Sequence, residues 1–101
     1  MKKQIMALIA VSALTVSASA VAGDAAAGKA KAAVCAACHG NDGMGKMPTY
    51  PNLKGQKEVY MVKQLKAFRD GTRKDPTMNA MAKPLSDKDV DNLAAYYGGM
   101  K

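Results

Sequence analysis

The 101-residue chain has no tryptophan, one phenylalanine, one histidine and two cysteines. Each scarcity removes a reading. With Phe68 and four tyrosines as its only aromatics, the chain fills a core poorly from its own side chains. A single histidine, His39, excludes any site built on two imidazoles. Together with Cys35 and Cys38 it falls one ligand short of a structural zinc tetrad. There is no internal repeat, no low-complexity tail and no alternation of β-branched residues, so the pattern predicts an all-α chain.

What is present begins with an export signature. Lys2 and Lys3 precede an apolar run over 5–11 and a small-residue stretch reading SALTVSASAVA, the layout of a secretory signal peptide. Small-x-small cleavage sites end at Ala20 and at Ala22. Cutting after Ala22 leaves Gly23-Asp24 to open a helix, so residues 1–22 are expected to be removed and 23–101 to form a single periplasmic domain. Ser12 and Thr15 interrupt the apolar run, which falls short of the roughly 20 residues a bilayer span needs. No stable membrane insertion is therefore expected after processing; a retained anchor is the alternative. A domain of this size is marginal unless a disulfide, metal or cofactor adds to its core.

Fifteen basic residues face eight acidic ones, and losing Lys2 and Lys3 leaves a net charge of about +5. Such a surface attracts acidic faces of partner proteins and speeds association. Nucleic acid is not expected, because the lysines are scattered and no aromatics interleave with them.

Three helices are predicted. The first takes Asp24 as N-cap and runs through AAAGKAKAAV to Cys35. The second covers about 57–70, with Tyr60, Val62, Leu65 and Phe68 as its apolar face, Met61 packing the core and Gly71 as its stop. The third begins at Ser86 with Asp89 three residues on, and Val90, Leu93, Ala94 and Tyr97 recur at helical spacing. Residues 40–56 and 72–85 lack regular periodicity and read as long functional loops.

The five residues Cys35-Ala36-Ala37-Cys38-His39 fit C-x-x-C-H, the attachment signature for haem. Each thiol can form a thioether to a vinyl group, and the adjoining imidazole then lies under the iron as proximal ligand. The rivals lack parts: a thioredoxin-like pair wants a βαβ setting, and a plain disulfide leaves His39 and the thin core unexplained. With no second histidine, the sixth iron position falls to Met, Lys, water or a diatomic ligand. Met44 and Met47 follow His39 too closely, and Met100 is one residue from the chain end. Met78 and Met81, in the loop before the third helix, remain, and spacing does not choose between them.

The stretches GDAAAGKAKAAVCAACHG, YPNLKGQ, QLKAFRDGTRKDP and MNAMAKPLSDKDVDNLAAYY resemble the class I cytochromes c, most closely the small c553 and c4 type carriers. The resemblance implies a small class I fold with three main helices and long loops wrapped around one covalently attached haem. It implies Met78 as the axial ligand opposite His39, because the family's methionine lies eight residues before the capping serine, Ser86. It implies that the Pro51 carbonyl accepts the proton on the other ring nitrogen of His39, fixing the ring. It also implies a close crossing of the first and last helices at Gly28, with Tyr96 or Tyr97 facing it.

Imidazole and thioether together saturate the iron, which favours electron transfer over catalysis, and methionine raises the potential relative to a second histidine. The expectation is a high-potential, one-haem carrier and not an enzyme. It would pass single electrons between respiratory complexes and a terminal oxidase or periplasmic reductase, docking through Lys46, Lys54, Lys57 and Lys83. A haem enzyme or gas sensor would need a distal acid–base residue, and no histidine is left to serve.

Overall fold

The computed structural model describes residues 23–101, so the expected signal peptide, 1–22, lies outside the described residues. Helix α1 (Ala25–Lys31) starts where the Asp24 carboxylate accepts hydrogen bonds from the N–H groups of Ala26 and Ala27, at 2.9 and 3.3 Å. Two free donors of the first turn are thereby satisfied. The alanine-rich sequence predicts that this helix continues to Val34, but it ends at Lys31. Propensity yields to packing here. Ala32 is buried, and the Cys35 N–H returns to the Ala32 carbonyl at 2.9 Å, tightening the chain into a turn. A one-turn helix α2 (Ala36–His39) follows, and Gly40 leaves it at φ 82°, a conformation that strains any residue with a Cβ.

Helix α3 (Glu58–Asp70) ends at Gly71 in the left-handed conformation, φ 81°. Of the residues expected to face the core, only Tyr60 turns outward. Tyr60 is 47% exposed, whereas Met61 is buried and continues through Leu65 to Phe68 at helical spacing.

The expectation of an irregular segment over 72–85 is corrected by helix α4 (Pro76–Ala82). Asp75 caps it by accepting from the Met78 N–H at 3.0 Å, and Pro76 takes the first position, where a missing N–H costs nothing. Two turns are too short to show a hydrophobic period. Met78 and Met81 therefore sit on a helix, not in a loop.

Helix α5 (Asp87–Gly98) opens with a full capping box between Ser86 and Asp89, both bonds at 3.0 Å. It buries Val90, Leu93, Ala94 and Tyr97. α5 packs against α1 on one side and α3 on another, and α4 packs on α3. At the α1–α5 crossing a Cβ on Gly28 would run into the Asn92 carbonyl and the Tyr96 Cβ, so the residue facing Gly28 is Tyr96. Tyr97 turns into the core with Ala32, Met61, Leu93 and Ala94. Asn92, buried in the same seam, accepts from the Asp24 N–H at 2.7 Å. The described residues form five helices and no strand, and none of these helices is long and apolar enough to cross a membrane.

Candidate haem site

The turn after α1 and the single turn of α2 present Cys35, Cys38 and His39 within one stretch of backbone. Both cysteines are half-buried and not joined to each other, while His39 is 7% exposed. Cys35 packs against the core, and burial pushes its thiol above the ordinary value of 9.0, with Cys38 adding to the effect.

The His39 ring is held by one bond: Nδ1 lies 2.8 Å from the Pro51 carbonyl. A carbonyl only accepts, so Nδ1 carries the proton and Nε2 carries the lone pair. Pro51 reaches this place because the loop 40–56 is fastened through its backbone at several points. Lys46 N–H donates to the Cys38 carbonyl at 3.0 Å, Leu53 N–H to the Gly43 carbonyl at 2.7 Å and Gly55 N–H to the Tyr97 carbonyl at 2.9 Å. The Asn52 side chain accepts from Gly45 N–H at 2.7 Å. The loop is thus tied both to α2 and to the end of α5.

On α4, Met78 is half-buried and Met81 is 37% exposed. The segment carrying them is anchored to α3. Arg69 donates to the Leu85 carbonyl at 3.1 Å and pairs with Asp87 at 2.8 Å. Leu53 and Leu65 lie partly buried against the core, and Phe68 is buried with the Arg73 guanidinium 4.5 Å from its ring centroid. Lys46, Lys54, Lys57 and Lys83 are all exposed.

The donor set fits a covalently attached haem. It offers two thiols one helical turn apart and an imidazole whose far nitrogen bears a lone pair. One further group asks for a partner: the Tyr97 hydroxyl is buried without a hydrogen bond among the described residues, and burial, with Cys35 and Tyr96 adding, drives its pKa far above the phenol range. No cluster of three His, Cys, Asp or Glu side chains able to hold a bare metal ion occurs among the described residues.

A family model described as cytochrome c matches residues 25–100. The chain belongs to the cytochrome c family. It is similar to cytochrome c-554(548) of Halomonas halodenitrificans, 51% identical over 74 residues that cover 70% of this chain and 89% of that protein. A relative from Thiomonas intermedia, named as a thiosulfate dehydrogenase electron acceptor, is 49% identical over 72 residues, which cover 70% of this chain and 33% of that protein. Among solved structures, reduced recombinant cytochrome c4 from Pseudomonas stutzeri superposes with a TM-score of 0.75 at 45% identity. That match covers 79% of this cytochrome and 47% of the c4 chain, so the chain spans about half of that relative's length. The family consists of electron carriers that bind covalently attached haem c, and the fold is that of its class I members.

Sequence reasoning missed the anchors of α4, namely Asp75, Asn79 and Arg69. Part of the signal was there, since Asp75-Pro76 reads as an N-cap followed by a first-position proline. The bonds of Asn79 and Arg69 run to backbone carbonyls six to sixteen residues away, and no local pattern announces them.

Proposed function

We propose that this cytochrome is a periplasmic, high-potential, one-haem electron carrier and not an enzyme. Cys35 and Cys38 would hold the haem through thioether bonds, and His39 Nε2 and the Met78 thioether would ligate its iron. When bound, the haem supplies a reversible one-electron iron couple. The observation that carries this reading is the His39–Pro51 bond, which fixes the ring and its tautomer and leaves Nε2 as the lone-pair donor. Met78 is preferred to Met81 because it is the less exposed and its own N–H is bonded to the Asp75 cap.

With His39 and Met78 both serving the iron, the chain would leave it no place for a substrate, and the haem would serve electron transfer alone. One pair of cysteines in the 101 residues supports one haem for this chain. The signature over 1–22 supports export and cleavage after Ala22, with Ala20 as the alternative site. Exposed Met44 and Met47 border a surface groove of about 500 Å³ near Pro51, with Lys46 in its wall and Lys54 nearby. An apolar patch rimmed by cations suits an acidic redox partner. The name of the Thiomonas relative supports a partner of the oxidoreductase class, whether terminal oxidase, reductase or dehydrogenase.

The test is a mass and redox measurement on protein from the periplasmic fraction. The mass should equal residues 23–101 plus one haem, and a redox titration should give a single one-electron wave at positive potential. An intact Met1–Ala22 segment, a haem-free disulfide or a wave at strongly negative potential would each overturn the corresponding part.

A further inference from the structure

Only Ala82 of α4 is buried, so apolar packing holds this short helix weakly. A polar clasp centred on Asn79 holds it instead. The Asn79 amide donates to the Phe68 carbonyl at 2.7 Å and to the Arg73 carbonyl at 2.8 Å. Its Oδ1 accepts from the Asp75 N–H at 2.9 Å. One side chain thus joins the last turn of α3, the bend after it and the cap of α4. Asp75 in turn accepts from the Met78 N–H, so Met78 lies two bonds from Asn79 through Asp75. On a helix, successive residues point about 100° apart. Asn79 can therefore face α3 while Met78 is aimed elsewhere.

We propose that Asn79 is the positioning residue that keeps the Met78 thioether on the iron; the proposal rests on the assignment of Met78 as axial ligand. A thioether is neutral and binds iron less strongly than an imidazole, so it holds its place by pre-organisation. A helix already fixed in place loses little entropy when its side chain ligates. Without Asn79 the Arg73 carbonyl loses the amide that bridges it to α4, the Phe68 carbonyl keeps only the Gly71 N–H at 3.3 Å, and α4 is free to move away with its methionine.

The experiment titrates the ferric holoprotein with imidazole and follows the sulfur-to-iron charge-transfer band. Asn79→Ala should bind imidazole on the order of tenfold more tightly than the unaltered protein, the effect of losing one to two net hydrogen bonds. Asn79→Asp keeps the oxygen facing Asp75 N–H but loses both donors. It should shift in the same direction, and it serves if the alanine variant does not fold. Ser86→Ala removes a cap elsewhere and controls for general stability. If Asn79→Ala binds imidazole as the unaltered protein does, or if Ser86→Ala shifts affinity by the same factor, the proposal is overturned. Met78→Ala separates the two layers. Should the band survive in Met78→Ala, the ligand assignment fails and takes the clasp with it; should it vanish there while Asn79→Ala titrates normally, only the clasp fails.

Discussion

At Gly28 a single methyl group decides whether the first and last helices can meet. Alanine is the better helix former by about 1 kcal/mol, yet here its Cβ would collide with the Asn92 carbonyl, a backbone atom that cannot swing aside. Gly28→Ala should therefore lower stability by about 2–3 kcal/mol in denaturant unfolding of the holoprotein, an overpacking cost that outweighs the propensity gain. Met78→Ala should open the iron to exogenous ligands and lower the potential, while Met81→Ala should leave the charge-transfer band and potential in place. The reverse pattern would show that the other methionine is the ligand. Residues whose partners are near in sequence were legible: in CAACH, spacing along the chain is spacing in the turn. Asn79 was not, because its three bonds reach across a bend that no pattern in 72–85 announces.

Among the elements, α5 carries the clearest electrostatic signature. Asp89 is held below its ordinary value of 3.8 chiefly by the Ser86 N–H, with Lys31 adding, and Asp87 is held low by the Arg69 guanidinium. Both folded values are depressed, so their contribution is fully present above pH 3.8 and is lost as pH falls through the lowered values. Unfolding followed below pH 4 should show stability falling with acid, and Asp89→Asn should make that slope shallower, whereas Ser86→Ala keeps the backbone N–H and removes only the side-chain cap. At neutral pH Ser86→Ala should cost about 1 kcal/mol, the usual worth of an N-cap. The three main helices were legible because each is long enough to show its period or carries a marked cap or stop. α4 was read as a loop because seven residues with one buried position have no period to show. On α3 the inward places of Met61, Val62, Leu65 and Phe68 were legible and only Tyr60 was misplaced, since a tyrosine is apolar enough to face inward and packing alone decides whether it does.

For the whole molecule, the excess of basic residues governs encounter more than stability. Exposed lysines, Lys46, Lys54, Lys57 and Lys83 among them, act at long range, and ions screen such charges within about 10 Å at 0.1 M salt. Stopped-flow reduction or oxidation by an acidic partner should therefore slow steeply as ionic strength rises, with the potential of the cytochrome nearly unchanged. A rate indifferent to salt would mean that the apolar patch around Met44 and Met47 does the recognising.

The seam between α1 and α5 has a consequence for the life of the chain before it is a cytochrome. Gly23, Asp24 and Gly28 are packed against Asp91, Asn92 and Tyr96, so α1 lacks its partner on α5 until those residues have been synthesised. Tyr97, the largest fully buried side chain, arrives later still. The domain is thus kept open until α5 has left the ribosome. If the chain is exported and then loaded with haem as proposed, a fold that cannot close early leaves both thiols open until then.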